Sequence, residues 1–480
     1  MKHKKSLSIS ASATVIEESI YNNRYIQFLV ILTIIGAFLR FYNIGLNSLW
    51  LDEASTYSVA LLSVSGIWGN IVAGEFNPPL FYWIEHFIIL FFGNSEFNLR
   101  IVPCIFGTLT IPAIYYAGKE FMDKNVGIIA ATLMTFSIFL IFYSQEARAY
   151  SMMLFFITVS MIFYFRALRD NDIKDWGMFG ICSAISFWTH FYALVIIGSL
   201  ILYAVYHVLL VKKTELKPFI YGCSCFGMIS LPLMMVMFQL FLKRTASAPT
   251  FGIQGPSIII ATFDQISGNM FVTYIFMLLF IIGCIQAFAI NKEKGFFLVM
   301  TTIMIFVISS VLSYMMPMMP RYLIFFSIIY FIAMAMSYRF LANYFDMNKV
   351  IYCIIILIML INVPALMNYY AGYTKSDWRG LSSDLQNITQ DGDIVAVVPN
   401  YMCQPLNYYY SNTTDNTIEM LAITSDDLKL IDQQKGNHTV FYVVTGDIVS
   451  ANPNGDSLEW FGKNTKILLQ RNDIYVMIGV

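Results

Sequence analysis

What most constrains this chain is a series of unbroken apolar runs, each about twenty residues long. Residues 270–290, for instance, contain no charged side chain. A helix of that length crosses a hydrocarbon core of about 30 Å. The strands of a membrane barrel would instead alternate apolar and polar residues over about ten positions. Composition agrees: 58% of the residues are hydrophobic and 12% are charged. Soluble domains carry about 25% charged residues, so a water-soluble enzyme is excluded. The net charge of -1 gives no electrostatic case for a nucleic-acid partner.

Eleven spans are expected, near 25–42, 99–118, 125–143, 149–168, 176–191, 192–211, 217–242, 270–290, 295–316, 321–341 and 349–368. The first 24 residues are polar and basic (Lys2, Lys4, Lys5, Arg24) and precede a full apolar run. They read as an uncleaved signal anchor with its N-terminus inside. Of the seven cysteines, six lie in apolar runs and only Cys403 in the polar tail, so the tail holds no internal disulfide. Cys223-Ser-Cys225 has no His or acid beside it and reads as packing.

One further apolar stretch, 79–92, reaches only about 21 Å as a helix. It carries Glu85 and His86, and charge at mid-bilayer costs about 2.5–3.5 kcal/mol. If it does not cross, the inner segments hold sixteen Lys and Arg; the outer ends hold six, namely Arg40, Arg100, Arg148, Lys243, Arg244 and Arg321. If it crosses, every later loop changes side and the bias reverses. The positive-inside rule therefore makes 79–92 an interfacial or re-entrant helix and puts the C-terminus outside.

The expected fold is an all-α polytopic membrane domain over 1–371, with a first outer loop at about 43–78. A small extracytoplasmic α/β domain follows over 372–480, where the composition turns polar. In the tail, helices are expected at 381–388 and 405–410 and strands at 393–398, 439–444 and 474–479. Sequons at Asn387, Asn412 and Asn437 fit an outside location. There is no internal repeat.

Function must lie among the polar groups that a membrane makes expensive. They gather in the outer turns: Asp52-Glu53 after Trp50, the string Tyr143-Ser144-Gln145-Glu146-Ala147-Arg148-Ala149-Tyr150, His190, and Arg321-Tyr322. Cations at a membrane surface hold a lipid phosphate, and a carboxylate activates an acceptor hydroxyl. No glycine-rich nucleotide loop is visible, so a sugar used here must arrive already activated on a lipid. Each residue also has a plainer reading. Asp52 and Glu53 suit a helix start and point about 100° apart, so at most one faces a reaction. Glu146 and Arg148 suit an interfacial ion pair, His190 a helix end, and Arg321 an interface anchor. Lys243 and Arg244 suit a solvated loop. Glu85 and His86 are adjacent and share no helix face.

The strings Leu49-Trp50-Leu51-Asp52-Glu53-Ala54, Asn77-Pro78-Pro79-Leu80-Phe81-Tyr82 and Phe92-Gly93-Asn94-Ser95-Glu96-Phe97 resemble the protein O-mannosyltransferase-like glycosyltransferases of the GT-C superfamily. So do the 143–150 string, Thr189-His190-Phe191-Tyr192, Pro320-Arg321-Tyr322-Leu323 and Asp377-Trp378-Arg379-Gly380. The resemblance implies a cell-membrane transferase that moves a sugar from a polyprenyl-monophosphate-linked donor to an extracytoplasmic protein, glycan or lipid. It casts Asp52 as the general base and implicates Glu53 and Glu146 in catalysis. It assigns Arg148, His190, Arg321 and Tyr322 to the donor phosphate, and implies inversion by direct displacement. Relatives that modify lipid A with aminoarabinose can hold a metal, so a divalent ion is compatible, with no ligands assigned. Many relatives have His or Lys where this chain has Asn77, which weakens the case for a metal. The rival readings are a flippase for lipid-linked sugars and a ligase using a pyrophosphate-linked oligosaccharide. The absence of an inverted repeat counts against the flippase.

Overall fold

The computed structural model describes residues 23–245, 249, 251–372, 374–410 and 418–480. Lys2, Lys4, Lys5 and Asn412 lie outside these residues. The chain divides into two compact units. The first comprises the chain up to Tyr42, Val64–Ile84 and Arg100–Asn368. The second comprises Asn43–Ser63, Glu85–Leu99 and Tyr369–Val480. Two stretches from before residue 100, Asn43–Ser63 and Glu85–Leu99, group with the tail.

The helices preceding the tail are α1 (Arg24–Phe41), α2 (Leu51–Ala60), α3 (Val64–Ala73), α4 (Pro79–Phe92), α5 (Glu96–Phe121), α6 (Lys124–Phe136), α7 (Ile138–Ser144), α8 (Tyr150–Asp170), α9 (Ile173–Thr189), α10 (Ala193–Tyr206), α11 (Leu216–Arg244), α12 (Ser257–Ser267), α13 (Met270–Ile290), α14 (Lys292–Leu312), α15 (Phe326–Met336), α16 (Tyr338–Ala342) and α17 (Met347–Tyr370). Eight of the eleven expected spans are single helices long and apolar enough to cross a bilayer. The other three differ. The run at 125–143 is the pair α6–α7, bent by 61°; the run at 176–191 is α9, only 17 residues long. The run at 321–341 opens with a 3-10 turn, Pro320–Leu323, before α15 and α16. The stretch at 79–92 is indeed a short apolar helix, α4.

The α6–α7 bend has a local cause. Ser137 leaves the helical region and its Oγ accepts from the Leu140 N–H, starting a new helix. The break frees carbonyls at the end of α6. The fully buried Arg40 guanidinium takes them, donating to Met134 O at 2.9 Å and Thr135 O at 3.4 Å. At the other end of the same helices, the Tyr25 hydroxyl donates to Asn125 Oδ1 at 2.5 Å. Asn125 Nδ2 contacts Met347 Sδ at 3.7 Å. The starts of α1, α6 and α17 therefore meet at one end of the bundle.

In the second unit the tail forms a five-stranded sheet in the order β2-β1-β3-β5-β4. The strands are β1 (Ile394–Val398), β2 (Ile418–Leu421), β3 (Val440–Thr445), β4 (Thr465–Arg471) and β5 (Ile474–Gly479). β1 pairs parallel with β2 and β3, whereas β5 pairs antiparallel with β3 and β4. The three expected strands are present. The two unexpected ones, β2 and β4, are edge strands whose side chains are mostly exposed, so they lack the apolar signature of a core strand. Alternation along β1 feeds both faces: Val395 and Val397 pack with Trp378 and Leu381, Ile394 and Ala396 with Leu428 and Phe461.

Candidate active site

Four polar segments of the first unit converge. The first is the 143–150 loop, which is held rigidly. Gln145 Nε2 donates to Leu39 O (3.3 Å), Arg40 O (3.0 Å) and Tyr42 O (2.9 Å), closing the carbonyl end of α1. Ser151 Oγ donates to Tyr143 O at 3.0 Å. Gly107 on α5 is what lets the loop approach, since a Cβ there would lie 2.1 Å from Ser144 Oγ. Fixed in this way, the loop buries Glu146 and leads to Arg148 and Tyr150.

The second segment is the turn after α9. His190 ends that helix in extended conformation and is 3% exposed. The backbone N–H of Tyr192 donates to His190 Nδ1 at 3.3 Å. Nδ1 is therefore the acceptor, and a neutral ring carries its proton on Nε2. Nε2 has no hydrogen-bond partner among the described residues. Burial pulls the imidazole pKa down to about 3, assisted by the charges of Arg148 and Arg321. His190 is thus a neutral, unspent donor beside two guanidinium groups.

The third segment is the 3-10 turn with Arg321 and Tyr322. The Arg321 charge acts on the Tyr143 hydroxyl, and its guanidinium lies 5.5 Å from the Tyr322 ring. Arg148 lies 5.9 Å from the Tyr150 ring. The rings themselves pack in a chain: Tyr143 on Tyr150 (5.2 Å), Tyr150 on His190 (5.5 Å), His190 on Tyr322 (5.8 Å), and Tyr322 stacked on Tyr192 (4.9 Å).

The fourth segment is the approach to α4. Asn77 Nδ2 donates to the Tyr82 hydroxyl at 3.4 Å, and Tyr82 donates to Glu75 Oε1 at 2.9 Å. The charge of Arg148 acts on Tyr82, so this trio borders the cluster. Arg244 does not lie in a solvated loop. Its Nη2 donates to Gly74 O and Glu75 O, both at 2.7 Å, and its guanidinium lies 4.2 Å from the Phe76 ring.

The structure therefore brings together Glu146, Arg148, His190, Arg321 and Tyr322. It adds Tyr143 and Tyr192, whose motifs were visible but whose roles were not.

Asp52 and Glu53 belong to the second unit and take different environments. Glu53 is fully buried, accepts from the Trp50 N–H at 3.4 Å, and pairs with Lys375 Nζ at 3.0 Å. Asp52, one position earlier on α2, is half-buried. Nothing in the sequence links Lys375 to Glu53 across 322 positions. Glu85 is fully buried near Glu53, and neither of its oxygens has a hydrogen-bond partner among the described residues. His86 Nδ1 lies 2.9 Å from Ala60 O instead. The Asp377-Trp378-Arg379-Gly380 motif is architectural: Asp377 caps its helix, Trp378 enters the sheet core, and Arg379 Nε donates to Glu96 Oε1 at 3.0 Å. Among the described residues no group of three or more His, Cys, Asp or Glu is placed to hold a metal ion.

Residues 76–236 match the sequence model of the dolichyl-phosphate-mannose-protein mannosyltransferase family. Over 181 residues the chain is 25% identical to an undecaprenyl phosphate-alpha-4-amino-4-deoxy-L-arabinose arabinosyl transferase of Wigglesworthia glossinidia brevipalpis, covering 35% of this chain and 32% of that protein. Over 146 residues it is 25% identical to an uncharacterized protein of Aquifex aeolicus, covering 29% of each. The chain thus spans about a third of the length of these curated relatives. The fold likeness is much broader. ArnT from Cupriavidus metallidurans in the apo state superposes with a TM-score of 0.64 at 9% identity, covering 95% of this chain and 99% of that one. The archaeal oligosaccharyltransferase AglB from Archaeoglobus fulgidus, in complex with an inhibitory peptide and a dolichol-phosphate, gives 0.53 at 12% identity, covering 93% of this chain and 73% of that one. The multi-pass membrane fold of this chain is that of the GT-C glycosyltransferases, as its sequence motifs suggested.

Proposed function

We propose that this chain transfers a sugar from a polyprenyl-monophosphate-linked donor to an acceptor outside the cytoplasm. The observation that carries the reading is the buried, unspent Nε2–H of His190 beside Arg148 and Arg321. Two guanidinium groups and one neutral N–H suit a single phosphate, because charge-assisted bonds to its oxygens are strong where water is excluded. The third nearby guanidinium, Arg244, directs its Nη2 to backbone carbonyls. The superposable ArnT of Cupriavidus metallidurans has a structure bound to undecaprenyl phosphate, which supports the same ligand class here.

In the transfer, Asp52 takes the proton of an acceptor hydroxyl. The oxygen attacks the anomeric carbon as the bond from that carbon to the phosphate oxygen breaks. The electron pair leaves with the polyprenyl phosphate, whose added negative charge Arg148, Arg321 and His190 hold. The sugar inverts. Glu146 orients the cations around the phosphate. Glu53, already paired with Lys375, positions the start of α2 rather than reacting.

The test uses purified protein in a detergent or nanodisc, a polyprenyl-phosphate sugar and an acceptor extract. Asp52→Asn abolishes transfer while leaving donor binding and the melting profile near wild type. Near-normal turnover by Asp52→Asn would remove Asp52 as the base.

A further inference from the structure

Far from the arginine cluster, a cavity of about 440 Å³ opens between α1, α6 and α17. It lies at the end of the bundle where these helices begin, whereas Gln145 ties the 143–150 loop to the opposite end of α1. Its volume falls within the range of about 300–1,000 Å³ typical of ligand sites.

The two flanking helices build it with the same spacing. α1 contributes Arg24, Gln27, Phe28 and Ile31; α17 contributes Asn348, Ile351, Tyr352 and Ile355. Apart from Tyr25, which also lines the cavity, each set runs i, i+3, i+4, i+7, which is one helix face. The polar Arg24, Gln27 and Asn348 sit in the first turns, and the apolar Phe28, Ile31, Ile351 and Ile355 lie deeper. Seven residues of helix give a lined depth of about 10 Å, the reach of roughly half an acyl chain. The cavity is thus polar at its mouth and greasy along its wall.

The mouth is also cationic. Arg24 lines it, and Lys124 Nζ lies 5.8 Å from the ring of Tyr25, another lining residue. Lys349 follows Asn348. Two acids lie nearby, and both are engaged. Asp123 caps α6 and pairs with Arg339. Asp346 accepts from the Lys349 N–H at 3.0 Å. Three helix N-termini add positive partial charge at this end. The distribution of Lys and Arg puts it on the cytoplasmic side, where anionic lipids concentrate.

We infer that this groove is a binding site for one anionic phospholipid of the surrounding bilayer, its headgroup phosphate at Arg24 and Lys124 and an acyl chain along Phe28, Ile31 and Ile355. The site is separate from the donor phosphate cluster, and the inference does not depend on the transferase reading.

Native mass spectrometry of the full chain in mild detergent tests this, with phosphatidylglycerol or phosphatidylcholine added. Wild type retains phosphatidylglycerol in preference to phosphatidylcholine. The double variant Arg24→Gln, Lys124→Gln loses that preference, by about five-fold for each cation removed. Ile31→Trp, at a half-exposed position that tolerates a large ring, blocks the chain path and lowers retention of phosphatidylglycerol without removing a charge. Equal retention of the two lipids by wild type would overturn the inference. So would undiminished phosphatidylglycerol in both variants, or displacement of phosphatidylglycerol by an equimolar amount of undecaprenyl phosphate.

Discussion

Glu53 Oε2 lies 3.0 Å from Lys375 Nζ, and neither side chain is more than 8% exposed. Breaking a buried ion pair of this kind costs about 3–5 kcal/mol. Lys375→Met and Glu53→Gln should therefore lower the thermal midpoint markedly. Turnover per folded molecule falls far less than in Asp52→Asn. Differential scanning fluorimetry alongside a transfer assay separates the two effects. A Glu53→Gln protein of normal stability with no turnover would instead make Glu53 a reacting group.

His190 supplies a donor, so side-chain shape and hydrogen-bonding decide its replacement. His190→Ala should weaken donor binding by about 10- to 150-fold, the worth of a hydrogen bond to a charged group. His190→Gln, which keeps an N–H, should recover much of the loss. Isothermal titration with polyprenyl phosphate reads both.

The same residue makes a prediction about pH. Its pKa in the folded protein, about 3, lies below the ordinary 6.5. The folded state therefore favours the neutral ring, and the unfolded chain takes up the proton first as pH falls. The stability this contributes is present above pH 6.5 and is lost between 6.5 and 3. The gap in thermal midpoint between wild type and His190→Gln should shift against wild type across that window. A gap independent of pH would show that His190 keeps its ordinary pKa.

Gln145 gives one side-chain amide to three carbonyls at the end of α1. Gln145→Leu should loosen the 143–150 loop, raise KM for the donor, and cost about 1 kcal/mol of stability through the lost hydrogen bonds. Hydrogen exchange over residues 143–150 checks this directly: faster exchange is expected.

Much of this was legible because a membrane makes polar residues conspicuous. Arg148, His190, Arg321 and Tyr322 stood out as charged or aromatic groups in turns between apolar runs, and the structure gathers them with Glu146. The direction of each side chain was not legible. Arg244 looked like a loop cation, yet it turns back on Gly74 and Glu75 because those carbonyls lie within its reach. Glu53 and Lys375 are 322 positions apart, and no local pattern encodes such a pair. In the fold, one serine in an apolar run is a weak signal, so the bend at Ser137 passed unseen; its clue was the buried Arg40 needed to satisfy it. β2 and β4 were missed because exposed edge strands carry no apolar run.

The central claim is that this chain breaks the bond between a sugar and a lipid phosphate. The most direct measurement follows free polyprenyl phosphate after purified protein meets a polyprenyl-phosphate sugar and acceptor. The account predicts release that needs acceptor, is lost in Asp52→Asn, and is weakened in Arg321→Gln and Arg148→Gln. Intact donor that is only moved between leaflets, with no free polyprenyl phosphate under any condition, would contradict it.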